Sequence, residues 1–446
     1  MKSAREETGQ SPSPHISDET DTRTLPTMQP ETTTALDLEW LRVQFPSLCQ
    51  TVNGHPATFL DGPGGTQVPQ RVIDAISDYL KRDNANTGGA YVTSRHSDTM
   101  IAGARSAMAD FLGCDPDEVV FGANMTALTF AISRAIGREL GVGDEIVLTH
   151  LDHDANISPW RALEERGVTI RMAEIHENDC TLDVDDLACK ITDRTKLVAV
   201  GYASNAVGTI NDVAEIVRLA HQHGAMAYID AVHYAPHGPI DVRALDCDFL
   251  VCSTYKFFGP HMGVLYGKRE HLLRFEPYKV RANTNAIPNR WEWGTLNHEC
   301  IAGIAACVEY LTDLGRRVNS SASSRRAAVL AAYDAIQKHE RGLMESLIRG
   351  LLAISGLKLY GISDPKRFDK RCPTVAVRIK GHTPLELASR LGERGFFTWD
   401  GNYYALNLTE RLDVEKDGGF LRIGLAHYNT AEEVERFVAA LREIIS

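Results

Sequence analysis

The chain has 446 residues, 43% of them hydrophobic, enough for a large core spread over two domains or over one domain with an appendage. A formal net charge of -12 disfavours nucleic acid and anionic membrane as partners. The nine cysteines are odd in number and scattered without a C-x-x-C pair, no apolar run is long enough to span a bilayer, and the N-terminus lacks a signal-peptide core; a disulfide framework, a zinc or other metal site and a membrane span are not expected, and a reducing cytoplasm fits best.

Residues 1–35 are rich in Ser, Thr, Pro, Glu and Asp and nearly free of large apolar side chains, the composition of a disordered tail. Order is expected from Leu36–Trp40. Strands are then predicted over Val119–Phe121, Glu145–Leu148, Thr169–Met172, Lys196–Val200, Met226–Ile229, Phe249–Cys252 and Val264–Tyr266. Amphipathic stretches such as Asp212–His223 lie between most of them. Apolar strands alternating with helices predict an α/β domain with a mainly parallel seven-stranded sheet covered on both faces, over residues 59–312. After about Thr312 the pattern changes to a long helical region, two strands (Thr374–Ile379, Phe420–Leu425) and a closing helix near Ala431–Ile445. Residues 313–446, with 36–58, are expected to form a smaller α+β domain.

Lys256 carries the chemistry. An apolar strand ends in Ser253, Lys256 follows, and Gly259-Pro260 turns into a second apolar strand. A lysine leaving a strand end can reach a pocket and form a Schiff base with pyridoxal phosphate (PLP), and Ser253 can bind its phosphate. Other polar residues fall at strand ends, where open α/β sheets bind ligands. Asp230 can hold a pyridine nitrogen protonated. His153 can stack on the ring, while Asn205 and His233 can bond its phenolic oxygen. The Asn124-Met125-Thr126 turn can cradle phosphate at a helix N-terminus. Each also has a plain use: Asp230 and Thr126 as helix caps, Asn205 and His233 in turns, His153 as a loop residue. The ordered set is what points to the cofactor. Other features carry no function: His221 and His223 read as a solvated helix end, Cys247 and Cys252 as inert core thiols, and Lys366–Lys370 with Arg371 as a solvated loop.

The chain from about Leu36 resembles the class V aminotransferase superfamily of fold-type I PLP enzymes, in its cysteine desulfurase branch. The resemblance rests on Ala85-Asn86, His153-Asp154-Ala155-Asn156 with Pro159-Trp160, Ser204-Asn205 with Gly208-Thr209, Ala244–Phe249, Trp293–Asn297 and the block Leu421–Glu433. It implies that Lys256 is the Schiff-base lysine, Asp230 pairs with the ring nitrogen and His153 stacks on the ring. Ser253 and Thr126 would bind phosphate. Thr295 would reach the phosphate of a neighbouring subunit, implying a homodimer. Arg422 would clamp the substrate carboxylate through its planar fork.

Four departures stand out. Tyr255 precedes the lysine where desulfurases usually carry His; His233 stands where they usually carry Gln; and the phosphate turn lacks the usual Gly-Thr-Thr run. These place the chain near a desulfurase-like subgroup that shares ground with isopenicillin-N-epimerase-like enzymes. Fourth, the loop that carries the sulfur-accepting cysteine of desulfurases reads Thr398–Asn407 here and has none. A phenol cannot hold a persulfide. The expectation is therefore β-elimination (C–S lyase) on cysteine or an S-substituted cysteine, with Tyr403 and Tyr404 shaping the substrate pocket. Transamination, epimerisation and true desulfuration are the alternatives, and a PLP-binding regulator without turnover is the reading from another class.

Overall fold

The computed structural model describes residues 35–446. The expected tail, residues 1–35, lies outside the described residues apart from Ala35. Each of the seven expected strands forms, extended by one residue at one end or both: β1 (Val119–Gly122), β2 (Glu145–Thr149), β3 (Thr169–Ala173), β4 (Thr195–Gly201), β5 (Met226–Asp230), β6 (Phe249–Ser253) and β7 (Gly263–Gly267). They make one sheet in the order β1-β7-β6-β5-β4-β2-β3. β2 to β6 pair in parallel, whereas β7 runs antiparallel to both β6 and β1.

The strands read as unbroken apolar runs because both faces are covered. Val147, Val198, Ile229, Leu250 and Val264 enter one core. Their chain neighbours Ile146, Leu197, Tyr228, Val251 and Leu265 enter the other. Helices α1 (Gln70–Arg82), α2 (Val92–Leu112), α3 (Met125–Ile136) and α4 (Val213–Gln222) belong to this part. Two long helices follow, α5 (His298–Val318) and α6 (Arg325–Leu352). Position 312 falls inside α5, so the chain crosses the expected boundary within a continuous helix.

A second sheet contains β8 (Leu357–Tyr360), β9 (Thr374–Ile379), β10 (Trp399–Gly401) and β11 (Phe420–Gly424), antiparallel in the order β8-β9-β11-β10. With α6 and the closing helix α7 (Ala431–Ile445) it has its own core, in which Val375, Val377, Leu421 and Ile423 meet Leu347, Leu351, Phe437 and Leu441. α7 opens on a reciprocal capping box between Thr430 and Glu433. The N-terminal segment is tied to this end: Arg42 pairs with Glu433 at 2.9 Å, and Thr58–Phe59 pairs in parallel with Phe396–Phe397. No helix among the described residues is long and apolar enough to cross a membrane.

Two local expectations are corrected. Arg371 is buried rather than solvated, donating to the carbonyls of Ile362, Val207 and Thr374. Unpaired carbonyls in an enclosed turn need a donor, and a guanidinium supplies several at once. His221 is likewise engaged: its Nε2 lies 2.8 Å from Asp248, which also holds His271 at 2.8 Å. Cys247 and Cys252 are fully buried, and burial pushes both thiols far above their ordinary range.

Candidate active site

The carboxyl ends of β2, β4, β5 and β6 open onto a cavity of about 630 Å³ bounded on its far side by Tyr403, Tyr404 and Arg422. Met125, Thr126, His153, Asn205, Asp230, His233, Ser253, Tyr255 and Lys256 also line it. Thr295 does not; it lies outside this cavity, beside Trp293 and Leu296.

β6 ends at Ser253, and one tight turn over Thr254–Lys256 delivers the lysine. The Thr254 amide donates to the carbonyl of Met262 at 2.8 Å and pins the turn. Lys256 Nζ donates to the carbonyls of Pro63 and Gly64 at 2.6 and 2.9 Å. Burial, and next the Arg422 charge, lower its pKa to about 7. A neutral amine is therefore accessible near neutrality, as a carbonyl-attacking lysine requires. Asp230 ends β5; its Oδ1 accepts from the Val232 amide at 2.9 Å, and burial raises its pKa to about 6.

His153 accepts the Ala155 amide on Nδ1 at 3.0 Å, which places its own proton on Nε2. Burial and then the Lys256 charge lower its pKa to about 4, so the ring is neutral at pH 7. His233 is 4% exposed, and burial first, then His237, holds it well below the ordinary histidine range. Its Nε2 has no hydrogen-bond partner, and neither has Oδ1 of Asn205, whose Nδ2 donates to the Tyr403 carbonyl at 2.9 Å. An unpaired buried polar atom costs about 1–3 kcal/mol, and two residues carrying one line this cavity, as a bound polar ligand would require.

The start of α3 forms one end of the cavity. Asn124 caps it by accepting the Ala127 amide at 2.8 Å. The Met125 amide donates to Ser253 Oγ at 3.0 Å, which leaves the Ser253 hydroxyl proton free to point into the cavity beside Thr126. Gly263 is required here, since a Cβ on it would lie 2.4 Å from the Asn124 carbonyl carbon. A lysine amine, a buried carboxylate, two unpaired polar atoms and a helix N-terminus around one cavity fit pyridoxal phosphate.

Arg422, on β11, is 3% exposed and donates from Nη1 to the carbonyl of Asn205 at 2.9 Å. Its Cζ lies 4.0 Å over the Tyr403 ring, and burial lowers its pKa to about 10. Tyr403 and Tyr404 adopt left-handed backbone, φ 58° and 60°. Such conformations persist where surrounding bonds hold them. The Tyr403 hydroxyl donates to the carbonyls of Phe420 and Trp399, and the Tyr404 carbonyl accepts the Asp154 amide at 2.7 Å. The Tyr404 ring stacks on His153 with centroids 5.4 Å apart.

The sequence reading missed Asp152, His261, Trp399 and the Pro63-Gly64 turn, all of which line the cavity. Asp152 accepts from Thr149 at 2.5 Å and Asn156 at 3.2 Å, and burial raises its pKa to about 7. Its place beside His153 at a strand end was a usable signal, as was the glycine pair after Pro63. None of the nine cysteines lines the cavity.

Residues 58–437 match the family described as aminotransferase class-V. A protein named probable cysteine desulfurase from Halalkalibacterium halodurans is 32% identical over 90% of this chain and 96% of its own. One named cysteine desulfurase from Pectobacterium atrosepticum is 32% identical over 91% and 98%. Among solved structures, an apo cysteine desulfurase from Thermococcus onnurineus superposes with a TM-score of 0.82 at 26% identity, covering 93% of this chain and 99% of that one. The fold is that of fold-type I PLP enzymes, and this chain, a PLP-dependent enzyme, belongs to the class-V aminotransferase family.

Proposed function

We propose that this protein cleaves the C–S bond of an S-substituted cysteine by β-elimination, releasing a thiol, pyruvate and ammonia at the cost of one water. The carrying observation is the cavity wall: where a desulfurase needs a thiol, this chain presents Tyr403 and Tyr404, and no cysteine lines the site. Elimination needs no sulfur acceptor on the protein.

Bound pyridoxal phosphate supplies an electron sink conjugated to the substrate Cα. Arg422 binds the α-carboxylate, and Asn205, whose carbonyl holds one guanidinium nitrogen, fixes the direction of that fork. Lys256 Nζ takes the Cα proton, since its lowered pKa suits a base working near neutrality. Asp230 keeps a proton on the ring nitrogen. His153, neutral and stacked under Tyr404, closes one face against water. The departing sulfur takes the bonding pair and then a proton.

Thr295, outside the single-chain cavity, fits a role across a homodimer interface. Nine free thiols fit a cytoplasmic setting.

A second reading, desulfuration of cysteine itself, draws on the names of the relatives. Product analysis of the PLP-loaded protein with L-cysteine and an S-alkyl cysteine separates the two. Pyruvate, ammonia and thiol support elimination, whereas alanine with sulfur on the protein or released as sulfide overturns it.

A further inference from the structure

We propose that the mouth of this cavity selects cysteine derivatives whose sulfur carries a planar aromatic group. This deepens the elimination reading and rests on it. The inner end of the cavity is polar, but its rim is built of rings. Tyr255 and His261 stack with centroids 4.7 Å apart and planes 16° off parallel. Trp399 is 51% exposed and Tyr404 71% exposed, yet both line the cavity. Both rings keep surface that a planar group entering the cavity can cover.

The backbone is shaped to place these rings. Gly64 and Gly65 lie between them: a Cβ on Gly64 would sit 3.0 Å from Trp399 Nε1, and one on Gly65 3.4 Å from the Tyr255 ring. Tyr404 is held in left-handed backbone by its carbonyl bond to the Asp154 amide and by Asn402, whose Oδ1 accepts its amide at 3.0 Å. Both devices fix where these rings sit along the cavity wall. A cationic substituent is disfavoured because Lys256 already sits 4.8 Å from the Tyr255 centroid and Arg422 lies over Tyr403. A neutral planar group satisfies the same faces by stacking.

The reaction balances as ArS–CH2–CH(NH3+)–COO⁻ plus water giving ArSH, pyruvate and ammonium. The Cβ–S bond breaks with its electron pair on sulfur, and no oxidant or reductant is needed. An aryl thiol is more acidic than an alkyl thiol and leaves more readily.

The test compares S-phenyl-L-cysteine with S-methyl-L-cysteine on the holoenzyme, with the same comparison for W399F, W399A and Y404A. Leaving-group acidity alone favours the phenyl substrate, so the reading is the kcat/KM ratio in each variant relative to wild type. We expect the ratio to fall about tenfold or more in W399A and Y404A and to hold in W399F, which keeps a ring. A ratio unchanged in both alanine variants overturns the inference. So does a variant effect on subunit assembly with no change in ratio, which would make these rings a chain–chain contact. If neither substrate releases thiol, the elimination reading fails, and competition against L-cysteine turnover decides the inference separately. Stronger inhibition by S-phenyl-L-cysteine that weakens in W399A sustains the aromatic mouth, and equal inhibition removes it.

Discussion

Arg422 donates to the Asn205 carbonyl at 2.9 Å, and Asn205 in turn donates to the Tyr403 carbonyl at 2.9 Å, so β11, the turn after β4 and the segment after β10 are locked to one another across the cavity. The lock fixes the direction of the guanidinium fork, as the proposed role of carboxylate clamp requires. Replacing Arg422 with Lys keeps the charge and loses the fork. We expect kcat/KM to fall by about 1.5–3 kcal/mol of transition-state binding, ~10- to 150-fold, mainly through KM. Steady-state kinetics on R422K checks this, and an unchanged KM removes Arg422 from substrate binding.

Lys256 should capture the cofactor at a pH far below that of an ordinary lysine. Its pKa in the folded chain is about 7 against the ordinary 10.5. Below about pH 7 the amine is protonated and attacks slowly; the capture rate should rise through pH 7 and level off well before pH 10. Stability of the cofactor-free protein should follow the same sign. Between the two pKa values the unfolded chain binds more protons, so stability rises with pH across that window. Stopped-flow absorbance on cofactor-free protein from pH 6 to pH 10 reads the rate, and a rise only above pH 9 would contradict the lowered pKa. K256A should show no Schiff-base absorbance at any pH.

Gly263→Ala should weaken cofactor binding as well as stability. The added Cβ would meet main-chain atoms of Asn124, which cannot swing aside, so β7 or the start of α3 must move. We expect a loss of about 1–3 kcal/mol in stability together with a raised Kd for pyridoxal phosphate. Equilibrium dialysis against the cofactor is the decisive readout, since unchanged affinity would separate the anion cradle from this contact.

Glu292 holds a buried pair that borders the Trp293–Asn297 segment. Arg105 meets it through two bonds at 2.8 and 2.6 Å, and the Phe121 amide donates to it at 2.9 Å. Glu292→Ala leaves a buried guanidinium without its carboxylate, which costs about 3–5 kcal/mol. Thermal unfolding should show a large drop in Tm, and the proposed contact of Thr295 with a second subunit should weaken with it. Light scattering of the wild-type chain should give a particle of two chains; a single-chain particle that is active would overturn the shared-site reading.

Much of this was legible because β2, β6 and β7 are buried along their full length. Apolar runs of that kind announce themselves, and polar residues at their ends mark where a ligand sits. That Lys256, Asp230 and His153 would line one cavity was readable for that reason. β8 and β10 were not: the first alternates exposure within four residues, and the second is three residues long. Trp399 joins the cavity only because a short edge strand of the second sheet meets the ends of the first, so nothing local distinguishes it from a surface aromatic, whereas His261 follows the Gly259-Pro260 turn after Lys256 and was within reach of the sequence. Arg371 misled because a basic run resembles a solvated loop, and only the fold shows the carbonyls waiting for its donors.

The anchoring of Tyr403 has a last consequence. Its hydroxyl is fastened to the backbone of β11 and β10, its carbonyl to Asn205, and its neighbour's carbonyl to Asp154. A segment tethered at so many points cannot reposition Tyr403 without breaking several bonds at once. On the elimination reading proposed above, the released thiol would therefore leave by diffusion rather than on a mobile arm of this segment.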